Sequence, residues 1–439
     1  MQQALFRLGY NLLLCFGAGW GAKLVAEFNS GFREKLRGHQ MLFPALKRKF
    51  ELCPRGAHRL LWFHAASVGE YLQCEPIMGQ LKKETDCRIL LTYFSPSMTT
   101  KLAGMKDVDY WSYLPFDRPW DMRRFFDIAR PDMVIFSKYD VWPNVVFEAR
   151  RRKCPVLLIA ASLSNTSRRS GAIARWANRQ YYPLLDFTGA VSDEDAANLR
   201  RIGLPAERLA VTGDARFKQA LEFSRGPHPT DRLRDMLCSE NPVLVIGSTS
   251  GADEAHLYPA LEDLKKDIPS LCIVWAPHHV DDQTVSSIEQ RLSARHWNVF
   301  RLSGVQTGLE NGDIELDMNT PGTAVIADCL GFLARSYDVA DAVYVGGAFD
   351  TGVHNLMEPA CYAKPLVYGP LLGNSYEARK MRDQGGGVVV NNSTEIHTHL
   401  REFLTDSSLA EKAGKSNYAL VEENARAAEQ ITAEIIKRL

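Results

Sequence analysis

Residues Val343 to Pro370 read VYVGGAFDTGVHNLMEPACYAKPLVYGP, and the succession strand, glycine turn, short helix, strand decides the fold class. Asp341 to Val345 has the β-branched and aromatic content of an interior strand. Gly346-Gly347 ends it with residues that tolerate positive φ and close backbone approach. After a loop from Ala348 to Val353, the run His354 to Cys361 reads as helical, so amide N–H groups from Gly347 through Gly352 to His354 are expected to face an anion, above all a phosphate. Glu358 follows His354 and Asn355 by about one helical turn, on the same face, where a carboxylate accepts hydrogen bonds from two ribose hydroxyls. Phosphate and ribose together describe a nucleotide. An ordinary tight βα turn is the other reading of these residues.

The same alternation extends in both directions. Strands are expected at Leu60 to His64, Cys87 to Tyr93, Asp132 to Ser137, Pro155 to Ala160, Phe187 to Val191 and Leu209 to Gly213, with helices such as Glu70 to Lys83, Arg118 to Arg130 and Val141 to Lys153 between them. It restarts at Pro242 to Gly247 and continues through Leu271 to Trp275, Val299 to Leu302, Thr323 to Ala327, Pro365 to Tyr368 and Val388 to Val390. Short apolar strands alternating with helices predict parallel sheets covered on both faces. With 439 residues and 46% apolar content, the chain is too long for one core. The fold class is therefore α/β, with two Rossmann-like doubly wound domains facing an interdomain cleft. The boundaries expected are an N-terminal membrane-associating segment over 1–30, an acceptor-binding domain over 31–222, a nucleotide-sugar-binding domain over 223–415, and a C-terminal helix over 416–439 packing back across the lobes. The proline-containing stretch Leu221 to Asn241 is the link, and the chain after Leu404 reads as purely helical.

Formal net charge is zero, so no global field recruits nucleic acid. Locally, between Arg7 and Arg59, ten basic residues stand against three acidic ones. Leu8 to Ala22 is free of charge but spans only about 22 Å as a helix, short of the ~30 Å hydrocarbon core. A segment dipping into a membrane, with Lys47, Arg48 and Lys49 behind it for anionic head groups and lipid phosphates, is the preferred reading. A signal peptide lacks its cleavage site; a helix packed on its own domain and a merely solvated charged face stay open. The nine cysteines are scattered, with no CxxC pair, and read as core thiols; no metal is expected.

His64-Ala65-Ala66-Ser67-Val68-Gly69-Glu70 follows the first strand, at the sheet edge where open α/β sheets bind ligands. Glu70 there suits a general base for a hydroxyl nucleophile. Ser67-x-x-Glu70 is equally a capping box, in which Glu70 bonds the Ser67 amide.

HAASVGE, VWPN (Val141 to Asn144), VTGDARF (Val211 to Phe217), GSTSGADE (Gly247 to Glu254), APHH (Ala276 to His279) and GGAFDTGVHNLMEPA (Gly346 to Ala360) occur in this order. In that order they resemble the 3-deoxy-D-manno-octulosonic acid (Kdo) transferases, over nearly the whole chain. The resemblance implies a GT-B glycosyltransferase that moves Kdo from CMP-Kdo to a lipid A precursor with inversion, needs no metal or cofactor, and works at the cytoplasmic side of the cell inner membrane. Carried over, it makes Glu70 the base, with Ser67, Gly69 and Asp140 toward the acceptor. Ser248, Thr249 and His278 join Gly346, Gly347, Gly352, His354, Asn355 and Glu358 at the donor. Lys138, Pro277 and Asp214 depart from the pattern, which more often has Glu, Arg, and Asn or Ser there. Alternatives kept open are another GT-B enzyme, of the heptosyltransferase or lipid A disaccharide synthase type, and a nucleotide-binding protein without transferase activity.

Overall fold

The computed structural model describes residues 2–14, 30–95, 98–102, 104–163, 171–226, 241–305, 322–373 and 375–439. Two wholly parallel seven-stranded sheets organise them. The first comprises β1 (Arg59–His64), β2 (Cys87–Tyr93), β3 (Tyr110–Tyr113), β4 (Met133–Ser137), β5 (Val156–Ala161), β6 (Phe187–Ala190) and β7 (Leu209–Val211), in the order β3-β2-β1-β4-β5-β6-β7. The second comprises β8 (Val243–Thr249), β9 (Cys272–Pro277), β10 (Asn298–Arg301), β11 (Thr323–Ile326), β12 (Ala342–Val345), β13 (Leu366–Tyr368) and β14 (Gly387–Val389), in the order β10-β11-β9-β8-β12-β13-β14. Each is a doubly wound α/β sheet, as the alternation of apolar runs and helices requires. Along β1, Leu60 and Trp62 enter one core while Leu61 and Phe63 enter the core on the opposite face. Burial on both sides explains why the strands read as continuous apolar runs.

The chain separates into one compact unit of Met1–Lys218 with Asn424–Leu439 and another of Gln219–Glu423. The last helix, Ala427–Ile436, places Ala428, Ile431 and Ile435 in the core of the first unit. The helical tail is not continuous. It forms Ser393–Thr405, Ser407–Ala425 and Ala427–Ile436, because Asp406 turns extended (φ −116°) and its carboxylate accepts the Leu409 N–H at 3.0 Å to start the next helix. The expected link Leu221 to Asn241 is helical as far as Ser224, within Arg216–Ser224, and its residues 227–240 lie outside the described residues.

Sequence reading missed β3. Tyr-Trp-Ser-Tyr is four residues long, lies at a sheet edge and is half-buried over three of them, so it lacks the apolar signature of its neighbours. The charge-free run from Leu8 begins in a helix over residues 2–14 and then passes outside the described residues. Among the described residues no helix is long and apolar enough to cross a membrane.

Candidate functional site

In each sheet the chain crosses from one side of the leading strand to the other, between β1 and β4 in the first and between β8 and β12 in the second. Helices leave such strands toward opposite faces, which opens a crevice at the carboxyl ends, and the chemistry-bearing residues collect there.

At the first switch point, helix Val68–Glu84 starts after Ser67 and puts Glu70 in its first turn. Glu70 is 6% exposed, and its Oε2 accepts the Ala66 N–H at 2.5 Å. The capping box is not formed: the acceptor goes to Ala66 instead of Ser67, and the Ser67 hydroxyl makes no cap. Among the described residues Oε1 of Glu70 takes no hydrogen bond. Burial pushes the Glu70 carboxyl above its ordinary range and the negative Asp140 adds to this, while the Ala66 amide, His64 and Lys138 pull the other way. Asp140 lies in the β4 loop, its Oδ2 3.2 Å from both His64 Nε2 and the Trp142 indole nitrogen. His64 is fully buried, with Nδ1 3.0 Å from Thr92 Oγ1. Ser67, Gly69, Glu70 and Asp140 therefore share one sheet edge, with Ser67 half-buried and Gly69 exposed. A carboxylate held above its usual pKa, with one oxygen unbonded, is equipped to take a proton.

Behind Glu70, Ser137 donates to the Glu70 carbonyl at 3.4 Å and to Gln73 Oε1 at 3.2 Å, and Gln73 donates to buried Asp214 at 3.1 Å. Arg216 forks onto the same Asp214 oxygen at 2.9 and 2.7 Å and holds its carboxyl below the usual range although burial opposes this. The Asp214 departure thus closes an ion pair that an amide could not.

The second switch point is built from backbone. Asp253, fully buried in the first turn of helix Gly251–Asp267, closes a capping box with Ser250. Its Oδ2 also accepts the Gly347 N–H at 2.8 Å, and its Oδ1 the Tyr344 hydroxyl at 3.0 Å. A Cβ on Gly346 would stand 2.6 Å from Ser248 O and Thr249 Cα, and one on Gly347 2.5 Å from Gly352 O. Glycine is required at both for steric reasons alone. Ser248 sits in a left-handed conformation (φ 56°) at a bulge in β8, half-buried. Thr249 is buried and its hydroxyl accepts the Trp275 indole N–H at 2.8 Å. His278 stacks on His354 at 4.4 Å between ring centroids, and burial together with His278 lowers the His354 pKa.

Two features here differ from expectation. The helix is only Met357–Cys361; the Gly347 amide bonds to Asp253, and those of Asp350, Thr351, Gly352, Val353 and His354 bond within the loop or to Leu371. These six are spent on shaping the glycine turn. Among the described residues the amides of Asn355 and Leu356 have no protein acceptor. Asn355 Oδ1 instead accepts the Met357 N–H at 3.0 Å, and its amide donates to Glu358 at 2.9 Å. Burial raises the Glu358 pKa against that bond. Asn355 and Glu358 are thus together, as the spacing requires, through a cap instead of a helical turn.

Lys47, Arg48 and Lys49 lie on helix Ser30–Leu52. Lys47 and Arg48 are exposed, with Lys47 3.8 Å from Glu51. Lys49 turns inward: its ammonium donates to Trp111 O at 2.7 Å and lies 3.9 Å over the Trp111 ring, and burial lowers its pKa to about 8. The helix over residues 2–14 packs through Phe6 and Tyr10, leaving Leu5, Leu8, Leu12 and Leu13 exposed. Ile173 and Trp176 are exposed too, and Trp176 meets the Phe6 ring at 5.8 Å. Sequence reasoning missed His64, Asp253 and Tyr344. Only Asp253 carried a signal, the Ser250-x-x-Asp253 cap spacing.

Residues 44–219 match the family model described as 3-Deoxy-D-manno-octulosonic-acid transferase (kdotransferase). The 3-deoxy-D-manno-octulosonic acid transferase of Aquifex aeolicus is 27% identical over 369 residues, 83% of this chain and 92% of that protein. That of Haemophilus influenzae is 24% identical over 84% of this chain and 85% of its own length. Over most of its length the chain is similar to Kdo transferases. This similarity makes it a glycosyltransferase. Among solved structures, a putative UDP-N-acetylglucosamine 2-epimerase from Listeria monocytogenes superposes with a TM-score of 0.59 at 11% identity, over 86% of this chain and 96% of its own. The S. aureus MnaA–UDP structure gives 0.56 at 12% identity, with the same coverage. At such identities only the fold is shared, and it is GT-B.

Proposed function

We propose that this Kdo transferase family member moves Kdo from CMP-Kdo to a hydroxyl of a lipid A precursor, with inversion and with no metal or cofactor. The observation that carries the reading is Glu70: a buried carboxyl with a raised pKa, one oxygen unbonded, at the switch point of the first sheet. The acceptor hydroxyl gives its proton to Glu70 as its oxygen attacks the anomeric carbon, and the CMP phosphate departs from the opposite face. Charge growing on that phosphate is met by the Asn355 and Leu356 amides and the Ser248 hydroxyl, while Glu358 accepts from the ribose. His278 and His354 form one stacked wall of the donor site. Asp140, bonded to His64 and Trp142, keeps its place beside the acceptor.

The reading includes membrane association at the inner, cytoplasmic surface, supported by the exposed row Leu5, Leu8, Leu12 and Leu13 and the neighbouring Ile173 and Trp176, with Lys47 and Arg48 supplying positive charge. Lys49 contributes packing against Trp111 instead of a free charge. Removing residues 2–14 is expected to abolish flotation with anionic vesicles; unchanged flotation would refute this anchor.

The reaction is tested by incubating the protein with CMP-Kdo and a lipid A precursor and weighing the product. A mass gain of one or more Kdo units is expected. Protection against thermal unfolding by CMP, and none by UDP or ADP, separates this donor from those of other GT-B enzymes.

A further inference from the structure

Lys138 is the first residue after β4, at the switch point, and its backbone is left-handed with φ 66°. A lysine in that region carries a steric penalty relative to the right-handed form. The conformation is pinned from both sides: the Lys138 N–H donates to Ile159 O at 2.9 Å, and Lys138 O accepts the Ser162 N–H at 3.3 Å. Strain held by the neighbouring strand in this way concentrates at working positions. The residue before it, Ser137, points its hydroxyl under the Glu70 helix. Lys138 itself is half-buried, with its ammonium 5.3 Å from the Tyr139 ring centroid. Among the described residues that ammonium forms no ion pair and no hydrogen bond. Its field is felt at Glu70, together with those of Asp140 and His64.

A strained, half-buried, unpaired cation beside the base has an unfilled capacity of three N–H donors. We propose that the Lys138 ammonium binds an oxyanion of a substrate next to Glu70, and so fixes which substrate is accepted. This rests on the reading of Glu70 as the base for a sugar transfer. Both substrates of that reaction carry suitable groups, the phosphate of the acceptor and the carboxylate of the donor sugar, and the shared chemistry is a singly or doubly charged oxyanion. A charge-assisted hydrogen bond of this kind stabilises by about 1.5–3 kcal/mol, equivalent to a KM rise of roughly tenfold to a hundredfold on its loss.

The experiment compares the full-length protein with Lys138→Met and Lys138→Arg in the transfer assay, using acceptors with and without phosphate. An acceptor phosphate on Lys138 gives a KM rise in Lys138→Met for the phosphorylated acceptor only, and the two proteins become equal on the dephosphorylated one. A donor carboxylate on Lys138 gives a raised donor KM with either acceptor. In both cases Lys138→Arg recovers part of the loss, while melting temperatures stay with the parent. Unchanged KM for both substrates overturns the proposal, whether kcat is also unchanged or the acid limb of the pH–rate profile moves. In the latter case Lys138 only tunes Glu70. A parent protein that transfers nothing refutes the transferase reading, which is a separate result.

Discussion

Glu70 and Asp253 occupy equivalent places, each the carboxylate in the first helical turn after the leading strand of its sheet, and each three residues after a serine. Their surroundings could hardly differ more. Asp253 receives Ser250 N–H and O–H, Gly347 N–H and Tyr344 O–H, so both its oxygens are occupied and it acts as a rivet for the glycine turn. Glu70 receives one amide, and burial raises its pKa. On the proposed reading, one position serves structure in the second unit and chemistry in the first. The serine–acid spacing is the same in both; the number of donors that reach the acid decides between them.

The sharpest way to break the comparison is Glu70→Gln. The amide keeps the shape and can still accept the Ala66 N–H, but cannot take a proton. Transfer is expected to fall about a hundredfold to ten-thousandfold, with CMP-Kdo affinity unchanged in a binding titration. Near-parental turnover would put Glu70 on the structural side, with Asp253.

Asp253→Ala tests the other side. It leaves four donors without an acceptor in a fully buried site, at a cost of roughly 3 kcal/mol or more. The expected results are a lower unfolding midpoint in urea and loss of CMP protection. Stability close to the parent would show that the turn at Gly346-Gly347 holds its shape without the rivet.

How much of this was legible beforehand follows the same division. The strands could be read because both faces of each sheet are buried, as at Leu60 to Phe63, and apolar runs follow directly. The edge strand Tyr110–Tyr113 could not, since exposure removes the signal. Gly346 and Gly347 were readable as a turn of close approach. The fate of the Gly347 amide was not, because its acceptor Asp253 is 94 residues away in sequence. Likewise Ser67-x-x-Glu70 left base and cap undecided, and the electrostatic setting of Glu70 depends in part on Lys138 and Asp140, which only the packing of β1 against β4 brings near. Lys49 was read with its exposed neighbours, and Trp111 on the missed strand is what draws it inward.

The smallest expected effect is also the most specific to Glu70. A carboxyl whose pKa is raised in the folded state favours folding in its protonated form. Its contribution is complete below the ordinary glutamate pKa of about 4.3 and is lost as pH rises through the folded value. At neutral pH the ionised Glu70 therefore weighs against stability, because burial and the charge of Asp140 both disfavour it. Glu70→Gln removes that penalty. Its melting temperature is expected to exceed the parent's by a few degrees at about pH 8, with the difference closing by about pH 4. The parent's activity should have its acid limb above the ordinary glutamate range, in the same pH interval where the two melting curves part. A Gln variant less stable than the parent at high pH would mean that ionised Glu70 gains more from Ala66, His64 and Lys138 than it loses to burial, which would make it a rivet like Asp253.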